Sequence, residues 1–259
     1  MNRPALAVKS RHDQALTLAV LAAPVVFAWT YLLFADSSDT EMDMGAGQMM
    51  AMPAEWSLRH FVLTFAMWAI MMVAMMLPSA TRAILHAAAL LEHLRTLLAV
   101  RRTGEFVIGY LAVWLAFGLA ATAMQWGLDG AGVLSSKIAT TDRMLAGSVL
   151  LYAGIYEWMP LKQACLTHCR APEEFLARHW HDGPFLTGLR HGLFCLGCCW
   201  LLMVLLFVGG VMNLASITAI ALVILVEKTL RRGVLASYAI AIVLIAWGAV
   251  TLTVPGPTG

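Results

Sequence analysis

Long apolar stretches alternate with short polar connections along most of this chain. Apolar runs of about 20 residues recur, and a helix of that length crosses roughly 30 Å of hydrocarbon. The pattern predicts about seven such helices, at residues 15–34, 59–77, 105–126, 144–160, 191–209, 213–227 and 234–254. We therefore expect an all-α fold, a polytopic transmembrane helical bundle in which residues 1–259 form a single transmembrane domain.

The fifth and sixth predicted helices come from one apolar stretch that begins with "HGLFCLGCCWLLM". As a single helix this stretch of 191–227 would be about 55 Å long, which is too long for one span. The segment "VGGVMN" at 208–213 supplies the glycines and the polar residue of a tight turn. Two helices joined near Gly209 and Gly210 are therefore expected.

The positive charges give this arrangement an orientation. With the N-terminus in the cytoplasm, seven spans leave only Arg59, Lys137 and Arg143, of 17 lysines and arginines, on the outer side. This bias follows the positive-inside rule, and it predicts an N-terminus inside and a C-terminus outside. The first apolar run is longer than the core of a signal peptide, so we expect it to be retained as an anchor.

Composition excludes a soluble domain. Charged residues make up 12% of the chain and hydrophobic residues 61%, with a mean hydropathy of +0.78, whereas soluble domains carry about 25% charged residues. The expected partner is the lipid bilayer. No basic patch interleaved with aromatic residues suggests nucleic acid.

All five cysteines lie in two short segments, and each segment also holds a histidine. In "CLTHC" the cysteines and the histidine have i, i+3, i+4 spacing, which places them on one helical face. In "HGLFCLGCC" His191, Cys195 and Cys198 form one stripe along a helix, with Cys199 on its flank. Each segment therefore presents soft ligands in one direction. Four such ligands suit Zn²⁺, and two or three thiolates suit Cu(I). The candidate metal ligands are Cys165, His168, Cys169, His191, Cys195, Cys198 and Cys199. The alternative is packing, because free cysteine behaves as a small hydrophobic residue.

A thiol redox role is a second alternative for the same residues. Cys195 and Cys198 have the spacing of a dithiol pair. Such a pair makes disulfides in an oxidising compartment, whereas the charge bias places this one on the cytoplasmic side, where thiols stay reduced. The topology therefore disfavours an enzyme that forms disulfides.

Methionines form two further groups. An acidic loop predicted outside the membrane carries one group, and the second predicted helix carries the other at i, i+4 spacing. Thioethers bind Cu(I), so the two groups would form a metal pathway toward the cysteines. The residues are Met42, Met44, Met49, Met50 and Met52 in the loop, and Met67, Met71 and Met75 in the helix. The alternatives are a flexible loop and ordinary packing of methionine.

Two carboxylates lie at the predicted inner ends of helices. Glu157 and Glu227 would be costly at the edge of the hydrocarbon without a partner. They are candidates for ligands, or for hydrogen-bond acceptors from His168 or His191 behind the metal. The alternative is a salt bridge, from Glu157 to Lys162 or from Glu227 to Lys228 or Arg231.

Four motifs together suggest a family. These are "MMVAMMLPS", "PLKQACLTHCRAP", "GLRHGLFCLGCCWLLM" and "GVMNLASITAIALVILVEK". With them the chain resembles, over about residues 60–230, a bacterial family of predicted metal-binding integral membrane proteins (domain of unknown function 2182). The resemblance implies a helical membrane fold in the bacterial inner membrane and a metal site.

We therefore expect an inner-membrane protein that binds a soft transition metal, with Cu(I) favoured and zinc as the alternative. It would transport the metal or deliver it to a metallochaperone or metalloenzyme partner. The sequence contains no G-x-x-x-x-G-K-[ST] motif, so transport would be passive, coupled to a gradient or driven by a partner. The competing hypothesis is a thiol or metal-dependent subunit of a quinone-linked oxidoreductase, and a third is a scaffold whose cysteines only pack.

Overall fold

A computed structural model describes residues 11–45, 57–91, 96–132, 143–230 and 233–253 of the chain. Within these ranges the secondary structure is helical, which confirms the all-α prediction. A 3-10 turn, Trp180–Asp182, separates α6 from α7. The helices are α1 (Arg11–Gly45), α2 (Leu58–Ala89), α3 (Thr96–Gly130), α4 (Arg143–Trp158), α5 (Pro160–Arg170), α6 (Pro172–His179), α7 (Pro184–Val204), α8 (Leu206–Gly209), α9 (Leu214–Thr229) and α10 (Gly233–Thr253).

Five helical segments of the described chain are long and apolar enough to cross a membrane, namely Thr17–Phe34, Leu58–Ala89, Leu97–Gly130, Pro184–Gly209 and Gly233–Thr253. Large apolar side chains such as Phe34, Ile108 and Trp247 are exposed on their outer faces, as expected for contact with lipid. The other two predicted spans correspond to α4 and α9, which have 16 residues each. At 1.5 Å per residue these reach only about 24 Å. Length and composition thus support five spans, and the count of seven and the orientation stay predictions.

Two predicted helix boundaries need correction. α7 begins at Pro184, after Gly183 with a φ of 98°, and not near His191. Because the helix starts about two turns earlier, Cys195 lies near its middle rather than close to its beginning. α2 continues to Ala89, twelve residues beyond the predicted end of the second helix at residue 77.

The predicted turn between the fifth and sixth helices is present. α8 ends at Gly209, and Gly210 follows with a φ of 92°, a conformation that favours glycine. The Asn213 side chain then accepts hydrogen bonds from the backbone N–H groups of Ala215 and Ser216, which caps α9. This break sends the chain back toward the cysteines of α7.

Glycines set how closely α3 and α7 approach. A Cβ on Gly188 would lie 2.0 Å from the backbone oxygen of Phe106, and one on Gly109 would lie 2.1 Å from that of Phe185. Gly192 faces Tyr110 and Val113 in the same way. Small residues let membrane helices pack at backbone distance. This contact brings the Tyr110 side chain of α3 to the thiols of α7.

Candidate metal centre

The two cysteine segments are helical and lie against each other. Pro160 occupies the first turn of α5, where its missing N–H costs no hydrogen bond, and Pro172 begins the next helix after Ala171. α5 packs against α7. The predicted stripe of His191, Cys195 and Cys198 is buried on α7.

Thiols from both helices converge at this contact. The Sγ atoms of Cys169 on α5 and Cys198 on α7 are 4.0 Å apart. The Cys195 thiol interacts with the thiols of Cys169, Cys198 and Cys199. Cys199, predicted to lie on the flank of the stripe, is as deeply buried as its neighbours. The tertiary structure therefore gathers four thiols that are up to 30 residues apart in sequence.

The thiols of α7 also bond to their own helix. Cys198 Sγ and Cys199 Sγ donate to the backbone oxygen of Cys195 at 3.0 and 2.9 Å. All five cysteines of the chain are free. Since these bonds are weak and local, rotation about χ1 redirects either sulfur.

Cys165 lies at the edge of this group. Its thiol lies over Gly197, where an added Cβ would come within 2.8 Å of the sulfur. Burial raises the pKa of the Cys165 thiol, and the nearby Cys198 raises it further. Hydrogen bonds with Cys195 and Cys198 raise the pKa of Cys169, and burial adds to that rise. Both α5 thiols therefore keep their protons at neutral pH, and any metal ion that binds them has to displace those protons.

Cys195 contacts groups that the sequence analysis did not single out. Lys228 Nζ on α9 donates to Cys195 Sγ at 2.8 Å, and Tyr110 Oη on α3 lies 3.1 Å from the same sulfur. Lys228 also donates to Ser79 Oγ at 3.1 Å, and Tyr110 donates to the backbone oxygen of Met76 at 3.1 Å. A lysine at the end of an apolar helix was the only sequence signal for these contacts. They tie α2, α3, α7 and α9 to one sulfur.

The two candidate histidines differ in their surroundings. His191 is 3% exposed, and its ring lies 5.5 to 6.0 Å from those of Phe106, Tyr110 and Phe175. Within the described part of the chain its Nδ1 has no hydrogen-bond partner.

The His168 ring stacks on Phe194 with centroids 4.3 Å apart. Its Nδ1 lies 2.8 Å from the backbone oxygen of Ala164. When Nδ1 donates this hydrogen bond, the lone pair of Nε2 is free to bind a metal ion. Metal-binding histidines are commonly oriented in this way.

The two carboxylates lie elsewhere. Lys162 Nζ on α5 donates to Glu157 and to both carboxylate oxygens of Glu227, the latter at 3.0 and 2.9 Å. The expected salt bridge from Glu157 to Lys162 is therefore confirmed. Glu227 pairs with Lys162 and not with Lys228, and Arg231 lies outside the described residues. Among the described residues the two carboxylates bond to Lys162 and Ser237, and no hydrogen bond joins them to His168 or His191.

Four methionines of α2 are buried in the core: Met71, Met72, Met75 and Met76. Met67 is partly buried and packs against the same core. Of the predicted loop, Met42 and Met44 fall in the last turns of α1, where only the backbone is described, and Met49, Met50 and Met52 lie outside the described residues.

In the described ranges, no three His, Cys, Asp or Glu side chains are already arranged as a metal-coordination shell. The structure thus brings the thiols close together, but it does not arrange them as a complete coordination shell. The model of the family PpoB2, described as "Copper chaperone", matches residues 65–251 of the chain. This range runs from α2 into α10 and includes every cysteine. The match supports the metal-related character predicted from the motifs, although under a different family name. No curated protein and no solved structure matches the chain.

Proposed function

This chain belongs to the PpoB2 family of copper chaperones, and on that premise we propose that it binds copper as Cu(I) at the thiols of α5 and α7. Copper is the cargo of this inner-membrane protein. The helix bundle takes up the copper, and the protein then transports it or passes it to a metallochaperone or metalloenzyme partner. Thiolates are soft ligands and suit Cu(I) in a reducing compartment.

The observation that carries the proposal is the pair of sulfurs contributed by two different helices. A metal–sulfur bond is about 2.3 Å long, if the length for zinc is taken. Two such bonds that form a trigonal angle at the metal place their sulfur atoms about 4.0 Å apart. The Cys169 and Cys198 sulfurs are 4.0 Å apart. Cys195 and Cys199 are close enough to supply a third sulfur, and two or three thiolates suit Cu(I).

The surroundings of the thiols suit a monovalent ion. Each thiolate that binds brings a negative charge into a buried site, and one copper ion neutralises only one of them. The Lys228 ammonium, 2.8 Å from Cys195 Sγ, compensates a second. A site with two thiolates, one Cu(I) and one lysine is therefore close to neutral, which lowers the cost of burying it.

The methionines of α2 fit a role as a pathway. Met72 and Met76 lie one helical turn apart in the core, and the backbone oxygen of Met76 accepts the hydrogen bond of Tyr110, which in turn contacts Cys195. Thioethers one turn apart offer successive weak sites for Cu(I) that lead toward the thiols.

Elemental analysis tests the proposal. Protein purified anaerobically in detergent is expected to hold about one copper per chain, as Cu(I) suits a shared two- or three-thiolate site. The double variant Cys169→Ser/Cys198→Ser should lose it, while Cys165→Ser, at the edge of the group, serves as the matched control and keeps most of it. Copper content that is unchanged in the double variant contradicts the proposal.

A second candidate function rests on the same lysine. An ammonium beside a thiol is the environment that activates cysteine as a nucleophile, so Lys228 also suits a quinone-linked thiol redox subunit. The two functions differ in the state of the thiols. Reversible oxidation of Cys195 with Cys198 by a quinone, in protein that holds no copper, favours the redox function.

A further inference from the structure

A second buried polar cluster lies beside the thiols and takes no part in the proposed copper site. It consists of Glu157 on α4, Lys162 on α5 and Glu227 on α9, which are 1%, 0% and 2% exposed. Ser237 on α10 donates to Glu227 Oε1 at 2.9 Å. We refer to Glu157, Lys162 and Glu227 as the carboxyl–lysine cluster. The Lys162 ammonium joins α4, α5 and α9, and the Ser237 hydrogen bond adds α10.

The charges of the cluster do not balance. Two ionised carboxylates and one ammonium leave one negative charge, and an uncompensated charge is strongly unfavourable at such burial. Both carboxyl groups accept hydrogen bonds from the single ammonium of Lys162, so they lie close to each other. Two negative charges this close in a buried site repel each other, and a proton on one of the carboxyl groups removes that repulsion.

Within the described part of the chain, the neighbouring cations bond to other groups. Lys228 follows Glu227 on α9, but its ammonium is directed at Cys195 and Ser79, because adjacent helical residues point about 100° apart. Arg170, at the end of α5, donates to the backbone oxygen of Leu230. On α4, the neighbouring Tyr156 donates its hydroxyl to the backbone oxygen of Gly197. On α10, Ser237 is the group that faces the cluster, and it is not ionisable at neutral pH.

We propose that the carboxyl–lysine cluster is a proton-binding site inside the helix bundle, in which Glu157 and Glu227 share one proton beside Lys162. Ionisable groups within membrane helices commonly mark proton relays. The proton is held where α4, α5, α9 and α10 meet, so any relative movement of these helices changes the cost of keeping it. The site gives the protein a means to take up or release a proton as it changes conformation, and it does not depend on copper.

Infrared spectroscopy of copper-free protein tests this proposal, in a detergent without ester or carboxyl groups. A protonated carboxylic acid has a carbonyl band that a carboxylate lacks, and the band shifts in D₂O. The wild type at neutral pH should show this band. Glu157→Gln and Glu227→Gln should each lose it, because one carboxylate then pairs with one ammonium. Glu173→Gln, at an exposed glutamate of α6, is the matched control and should keep the band.

A further variant separates a shared proton from a simple ion pair. Lys162→Met removes the ammonium, so both carboxyl groups should take protons and the band should grow about two-fold. Circular dichroism and gel filtration establish that each variant is folded. Absence of the band in the wild type, or its persistence in both glutamine variants, overturns the proposal. Loss of copper binding would overturn the proposed function and would leave this band in place, so the two failures are distinguishable.

Discussion

Replacing Lys228 with methionine removes the cation that lies closest to the proposed copper ligands. Methionine fills a similar volume but cannot donate to Cys195 Sγ, which Lys228 Nζ contacts at 2.8 Å. The lysine is 4% exposed, so water does not take the place of its ammonium. In the copper-bound protein the change therefore leaves the Cys195 thiolate in the core, with Tyr110 and the neighbouring thiols as its remaining polar contacts among the side chains described.

The size of the effect follows from that hydrogen bond. A hydrogen bond to a charged group contributes about 1.5–3 kcal/mol, which corresponds to a dissociation constant for Cu(I) that is about 10- to 150-fold larger. The assay is competition for Cu(I) with a chromophoric chelator, in anaerobic detergent solution. Lys228→Arg keeps the charge and is the matched control, with a smaller loss expected because the planar guanidinium does not reproduce the geometry of the ammonium.

The reasoning also predicts coupling between the two residues. In Cys195→Ser the partner of Lys228 is no longer a thiolate, so adding Lys228→Met to that variant should weaken copper binding much less than it does in the wild type. Equal losses in both backgrounds would show that Lys228 acts through stability and not through Cys195. An unchanged copper affinity in folded Lys228→Met would refute the charge argument altogether.

Three further predictions concern packing, protons and the pathway. Gly188→Ala places a Cβ against the backbone of α3 and should destabilise the protein by about 1–3 kcal/mol, as measured by thermal unfolding. In the control Gly197→Ala, the added Cβ meets only the movable Cys165 side chain, so the melting temperature should fall less. Equal falls in the two variants would contradict this distinction. Because the pKa of Cys169 is raised, copper has to displace the proton of this thiol when it binds. The affinity for Cu(I) should therefore rise about tenfold per pH unit for each proton released near neutral pH. Chelator competition at several pH values measures this slope, and an affinity that does not change with pH would exclude protonated thiols as ligands. Met72→Leu keeps a large apolar side chain at this buried position. It should slow copper uptake into proteoliposomes without changing the copper content of the purified protein. An unchanged rate of copper uptake would mean that Met72 has a packing role alone.

Much of the fold was predictable because membrane helices are determined locally. Apolar length, the glycines at 209 and 210 and the helical spacing of the cysteines each act within one segment, and the structure has helices in these places. The errors lie at boundaries: α7 begins at Pro184 because Gly183 and Pro184 form a stronger helix start than the first polar residue of the apolar run.

The candidate site divides in the same way. The order of residues places all thiols in two helical segments, and helical spacing directs the cysteines of each segment to one side. The contact of Cys169 with Cys198, the approach of Lys228 and Tyr110 to Cys195, and the pairing of Glu227 with Lys162 depend on how the helices pack. The physical reason is that helical periodicity fixes which residues share a face. Which faces meet depends on the glycines that let α3 and α7 touch and on the buried charges that have to find partners from other helices.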